Sequence, residues 1–131
     1  MEVISENPLF ILDGAHNEES VRALTDFIKN YLYKKYYLIG IIGMYKDKDY
    51  KTTISLSTPF FDEILTVKPN SQRALSLEKI TNYSIKLNKN TAACEKISEA
   101  VSQALKKAKN QKNSAIIAFG SFSIMSDIKH V

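Results

Sequence analysis

Apolar residues along this chain fall into short blocks that end abruptly at glycine or polar turn formers. Pro8-Leu9-Phe10-Ile11-Leu12 stops at Asp13-Gly14, and Tyr36-Tyr37-Leu38-Ile39-Gly40-Ile41-Ile42 stops at Gly43. Asp62-Glu63-Ile64-Leu65-Thr66-Val67 runs into a polar stretch, and Ser114-Ala115-Ile116-Ile117-Ala118-Phe119 stops at Gly120-Ser121. Runs this short, bounded by turn signals, read as buried strands. A weaker strand is predicted over Tyr83 to Leu87.

Helical spacing fills the gaps. Asn17 is a good N-cap, Glu18 and Glu19 suit the positive end of a helix dipole, and Val21, Leu24, Ile28, Tyr31 and Leu32 recur on one face. Met44 to Asp49 reads as a loop, and a helix over Asp49 to Thr58 halts before Pro59. Lys68 to Arg73 is a loop, and a short helix follows over Leu75 to Ile80. Thr91 is predicted to cap a long helix with Cys94, Ile97, Val101, Ala104 and Ala108 on its inner face, broken by Asn110 to Asn113. A short last helix holds Ile124, Met125 and Ile128. Strands that are apolar on both faces, alternating with helices, predict a doubly wound α/β domain: a mostly parallel sheet with helices on both faces, spanning residues 1–131 as one unit. The predicted core is Leu12, Leu24, Ile28, Ile39, Ile41, Ile64, Ile97, Val101 and Ile117.

Composition narrows the class without changing the fold. The 131 residues are 44% hydrophobic and 24% charged, ordinary for one globular domain. The net charge of +4 is carried by scattered lysines. The densest runs, Lys34-Lys35 and Lys106-Lys107-Ala108-Lys109, have no interleaved aromatics, so they read as solvated helix ends and not as a nucleic-acid patch. A single cysteine, Cys94, allows no intramolecular disulfide, which fits a cytoplasmic setting, and its predicted helix face makes it a core residue. No run approaches the roughly 18 apolar residues of a membrane span. Neither nucleic acid nor membrane is an expected partner, and a monomer is expected.

Ligands of open parallel sheets bind at the carboxyl ends of the strands. Four polar segments are predicted there: Asp13 to Asn17, Gly43 to Asp49, Lys68 to Arg73, and Gly120-Ser121. Together they offer a carboxylate, an imidazole, lysines, an arginine and a hydroxyl, a set able to hold a ribose, a phosphate or an amino-acid carboxylate. The chain has no Gly-Lys-Ser/Thr phosphate loop and no triple-glycine dinucleotide fingerprint. His16, His130 and Cys94 lack metal-ligand spacing. Asp13-Gly14-Ala15 also lacks the second carboxylate of a phosphatase loop.

Phe10-Ile11-Leu12-Asp13-Gly14-Ala15-His16-Asn17 is similar to the signature that opens the carboxy-terminal domain of folylpolyglutamate and dihydrofolate synthases, within the Mur ligase superfamily. Gly43-Met44-Tyr45-Lys46-Asp47-Lys48-Asp49 resembles that family's second loop, with its Asp-Lys-Asp core. Lys68 to Leu75 resembles the third loop, and Phe119-Gly120-Ser121-Phe122 the terminal Gly-Ser loop. The resemblance implies an ATP-dependent ligase. ATP phosphorylates the γ-carboxylate of a folate, the amine of an incoming L-glutamate attacks, and an amide forms. By the same resemblance Asp13 contacts the ATP ribose, while His16, on the phosphate side, and Lys48 serve the reaction. Ser121 and Arg73 would meet the incoming glutamate, with Lys46 beside Lys48 as a competing lysine. The phosphate loop and the Mg2+ ligands are expected in an amino-terminal ATPase domain outside these residues. The resemblance leaves open a bifunctional dihydrofolate synthase, another Mur-type ligase, or a non-catalytic module for a nucleotide or acidic metabolite.

Overall fold

The computed structural model describes residues 1–131. In chain order the elements are β1 (Glu2–Glu6), β2 (Leu9–Leu12), α1 (Glu18–Phe27) with a π-helical extension (Ile28–Leu32), β3 (Tyr37–Ile42), α2 (Tyr50–Ser57), β4 (Glu63–Thr66), α3 (Leu77–Leu87), β5 (Thr91–Ala93), α4 (Ile97–Lys109), β6 (Ser114–Phe119) and α5 (Phe122–Lys129). The sheet order is β1-β2-β6-β3-β4-β5. β1 runs antiparallel to β2, and every other pairing is parallel. No helix is long and apolar enough to cross a membrane.

Period-two alternation divides the strand residues between two cores. Ile11, Leu38, Ile42, Ile64, Ile117 and Phe119 pack with Val21, Leu24 and Ile28 of α1, Ile54 of α2 and Ile80 of α3. Phe10, Leu12, Ile39, Ile41, Leu65, Ile116 and Ala118 pack with Ala100, Ala104 and Ala108 of α4 and with Ile124 and Ile128 of α5. The predicted doubly wound sheet is therefore present, and the chain reverses direction after β5, placing β6 between β2 and β3. At that reversal the loop after β6 leads to one face, while those after β2 and β3 lead to the other. Such a switch point opens a crevice at the strand ends.

Several expectations need correction. Tyr83 to Leu87 is not a strand but the second half of α3. Ser76 caps that helix by accepting from the Lys79 N–H at 3.2 Å, and Ile80 and Ser84 face inward one turn apart, so the local alternation that imitates a strand is overridden. Thr91 caps nothing: it opens the short β5, beside β4. α4 starts six residues later, after Lys96, whose side chain makes no capping bond. Cys94 is buried, as expected, but in the turn after β5, where its N–H donates to Thr66 at 2.9 Å. Ile97 and Val101 are only partly buried, because α4 presents the stripe Ala100, Ala104, Ala108 to the sheet. β1 escaped prediction because its residues are mostly exposed, Val3 and Ile4 among them.

β3 and β4 are also tied by polar contacts. The Tyr37 phenol donates to Glu63 at 2.6 Å across β3 and β4, and Lys107 of α4 pairs with Glu63 at 2.8 Å. Burial, with the neighbouring carboxylate, pushes the Tyr37 phenol up. Burial also pushes the Glu63 carboxyl up, but hydrogen bonds from Lys107 and Tyr37 outweigh it, and the net shift is down.

The alanine stripe sets how closely α4 lies on the sheet. Ala104→Leu inserts volume where no gap exists and is expected to cost about 1–3 kcal/mol, while Ile117→Ala leaves a cavity worth about 2–5 kcal/mol. Urea unfolding of the two variants measures both.

Candidate functional site

The ends of β2, β6 and β3 are stitched together. The Asp13 N–H donates to Ala118 at 2.9 Å, the Gly120 N–H to Ala15 at 2.9 Å and the Gly43 N–H to Phe119 at 3.3 Å. Gly120 sits at φ +118°, and a Cβ there would lie 2.2 Å from the Gly43 carbonyl oxygen. Only glycine allows this approach, so the first and fourth polar segments and the start of the second form one continuous edge.

Asp13 directs one carboxylate oxygen back to the Ala15 N–H, at 2.8 Å, closing an Asx turn. Its other oxygen makes no hydrogen bond and lies 3.8 Å from the amino-terminal nitrogen. Asp13 thus combines a turn contact with an acceptor at the strand end that no hydrogen bond occupies.

His16 is held on three sides. Its N–H donates to the Ser20 hydroxyl at 3.0 Å, and its Nδ1 lies 2.8 Å from the Gly14 carbonyl. A carbonyl can only accept, so Nδ1 carries a proton and Nε2 is the free nitrogen. The ring also packs on Phe122, 5.2 Å between centroids. A Cβ on Gly14 would meet the Phe122 ring at 2.6 Å, so that glycine makes room for the aromatic. Asn17 is the helix cap it was predicted to be: it accepts from the Ser20 N–H at 2.9 Å.

The second and third loops are zipped to each other. Tyr45 and Ala74 form an antiparallel bridge, the Lys46 N–H donates to Arg73 at 2.7 Å, and the Leu75 N–H donates to Met44 at 2.8 Å. Arg73 donates to Asp47 at 2.8 Å, and its guanidinium lies 4.4 Å over the Tyr45 ring. The hydrogen bond from Arg73 holds the Asp47 carboxyl below its usual range. Arg73 is therefore anchored by a fork that still has N–H groups to spare. Lys48 is half-buried on the same loop, whereas Lys46 is exposed. Ser121 is fully buried, and its hydroxyl faces that of Ser123 at 3.4 Å. Sequence reasoning passed over Asp47, Tyr45 and Phe122, whose roles depend on contacts across loops. No three His, Cys, Asp or Glu side chains gather as a metal site. A cavity of about 500 Å3 lies at the opposite edge, between the start of β2 and the end of α4, away from these groups.

Residues 1–122 match the family model described as "Mur ligase, glutamate ligase domain". The chain belongs to this Mur ligase family. It is 32% identical over 127 residues to the dihydrofolate synthase/folylpolyglutamate synthase of Buchnera aphidicola, covering 92% of this chain and 27% of that protein. It is 33% identical over 76 residues to the folylpolyglutamate synthase of Lacticaseibacillus casei, covering 57% of this chain and 17% of that one. The chain thus spans little more than a quarter of the first of these relatives. Its fold matches a Mycobacterium tuberculosis folylpolyglutamate synthase complexed with ADP and AMPPCP, with a TM-score of 0.87 at 20% identity over 98% of this chain and 30% of that one. It also matches E. coli FolC in complex with DHPP and ADP, with a TM-score of 0.86 at 23% identity, again over 98% of this chain and 30% of that one. In this Mur ligase domain the four motif loops converge on the sheet edge where the winding reverses.

Because Asp13 serves a turn as well as the edge, its two substitutions separate. Asp13→Asn keeps the acceptor for Ala15 and is expected to leave stability within about 0.5 kcal/mol, whereas Asp13→Ala loses about 1 kcal/mol. Gly120→Ala is expected to lose about 3 kcal/mol from strain and the collision with Gly43. Thermal unfolding of residues 1–131 ranks the three.

Proposed function

We propose that this domain is the glutamate-accepting half of a folylpolyglutamate synthase that joins L-glutamate to the γ-carboxylate of a folate at the expense of ATP. The observation that carries the reading is the convergence of Asp13, His16 and the zipped second and third loops on one rigid edge. The free Asp13 oxygen is an acceptor suited to ribose hydroxyls. His16, three residues on, leaves Nε2 without a protein partner and is assigned the phosphate side. Arg73, oriented by Asp47 and Tyr45, offers the incoming glutamate a planar fork, and Lys48 offers a point charge. Ser121 contributes through the backbone of its turn, since its hydroxyl is enclosed.

ATP supplies the phosphoryl group that turns the γ-carboxylate into an acyl phosphate. The glutamate nitrogen then bonds to the acyl carbon, the carbon–oxygen bond to phosphate breaks, and phosphate leaves. The residues here bind and orient; positioning and charge neutralisation carry most of the catalysis of phosphoryl transfer. No carboxylate cluster on this edge is suited to Mg2+, so its ligands belong to an amino-terminal ATPase domain in this reading. A bifunctional enzyme that also joins dihydropteroate to glutamate uses the same edge.

Residues 1–131 alone are expected to release no ADP with folate and glutamate. In the full-length protein, Asp13→Asn is expected to lower kcat/KM by about tenfold to a thousandfold at unchanged melting temperature, and His16→Ala by less. Full activity in Asp13→Asn overturns the assignment of the ribose contact.

A further inference from the structure

A second feature lies between α2 and α3. A cavity of about 230 Å3 is lined by Tyr50 and Lys51 on α2 and by Lys79, Asn82, Tyr83 and Lys86 on α3. Three lysines and no carboxylate line it. None of the charge pairs within 4.0 Å includes Lys51, Lys79 or Lys86. Asp49, two residues before Lys51, accepts from the Thr52 hydroxyl at 2.6 Å. The walls are fixed: Tyr50 and Tyr83 meet edge to face at 6.0 Å, the Tyr83 hydroxyl lies 3.0 Å from that of Ser55, and the Lys51 ammonium lies 5.8 Å over the Tyr83 ring. Both helices emerge from the site loops, α2 directly after Asp47-Lys48-Asp49 and α3 shortly after Arg73. The groove therefore begins near the ligand edge and runs away from it along α3.

We infer that this groove holds the oligo-γ-glutamate tail of the folate substrate. The inference rests on the folate-ligase reading above. Each γ-linked glutamate leaves one free α-carboxylate and adds five backbone bonds, about 6 Å when extended. Lys79 and Lys86 stand about 10 Å apart along α3. Three cationic groups over that length match the carboxylates of two or three tail residues, and Asn82 and the tyrosine hydroxyls offer donors to the amides between them. Lysine rather than arginine suits a tail that must slide outward after each addition, because a point charge holds a carboxylate without fixing its orientation.

The test has two arms. Residues 1–131 are titrated with γ-linked glutamate peptides of one to four residues and followed by NMR. Shifts are expected at Lys51, Lys79 and Lys86, with affinity rising about tenfold from one residue to four and falling as salt is added. Lys51→Gln/Lys79→Gln/Lys86→Gln should abolish them, and the triple Arg variant should retain them. These lysines are exposed, so neither variant endangers the fold. Shifts spread over Lys34, Lys35, Lys106 and Lys109 as strongly, or persisting in the triple Gln variant, overturn the inference. In the full-length enzyme the triple Gln variant should add the first glutamate at the parent rate within about twofold and make shorter tails; tails of parental length overturn the inference. A parent protein that adds no glutamate to any folate, while the groove still binds the peptides, sinks the ligase reading instead.

Discussion

The contact on which the rest of the site depends is the approach of Gly120 to Gly43. β6 enters the sheet last in sequence but between the two strands that carry the first and second motif loops. Its end must pass under both. It does so by presenting no side chain at position 120 and by turning through a positive φ that other residues resist. The Gly120 N–H then joins the first loop at Ala15, and the Phe119 carbonyl joins the second at Gly43. Loops that belong to strands far apart in sequence are joined into one surface by these main-chain hydrogen bonds. A side chain at 120 would push the first loop from the second, and Asp13 would lose its fixed relation to Lys48 and Arg73.

The two sides of the sheet serve that edge differently. The face under α1, α2 and α3 is packed with large side chains, and each of those helices starts at a motif loop or just after one. The other face is closed by α4, whose alanines allow a close approach, and by α5, which starts directly after Ser121. Burial on each side is non-directional and would tolerate small shifts. The position of the loops comes from hydrogen bonds: the Asx turn at Asp13, the caps at Asn17 and Asp49, and the ladder between Tyr45 and Ala74. This is the division expected when apolar area supplies the stability and polar geometry supplies the placement.

Much of this was legible in the sequence, for identifiable reasons. The four inner strands are apolar on both faces, so their runs stand out at any register. Helices with a cap and a first-turn acid, such as α1, announce their start. The misreadings cluster at the far edge of the sheet. β5 has three residues with little burial, and α4 opens without a capping side chain, so nothing local separates Thr91 from the helix that follows. Tyr83 to Leu87 alternates like a strand, but its inward neighbours, Ile80 and Ser84, follow a helical spacing visible only when the window reaches back to Ser76. The motif loops were placed on one edge by topology alone. The clasp of Arg73 by Asp47 and Tyr45, and the packing of Phe122 on Gly14 and His16, were not. Both join residues of different loops, a relation that no local pattern encodes.

The contact of His16 with Gly14 constrains what the imidazole can do. With Nδ1 committed as donor to a carbonyl, all exchange with a ligand passes through Nε2. A neutral ring offers a lone pair there, and a phosphate oxygen offers another; two acceptors do not bond. His16 can therefore grip a phosphate only as the imidazolium, when Nε2 also carries a proton. The neutral ring instead suits a donor, such as an amine N–H or a hydroxyl. Contact with an anion and acceptance of a proton would thus be two charge states of one ring in one orientation, and neither needs the side chain to flip. Phe122, packed against the ring, and Gly14, which leaves space for Phe122, keep that orientation. A residue larger than glycine at position 14 would therefore disturb His16 twice, by displacing its aromatic neighbour and by moving the carbonyl that holds its proton.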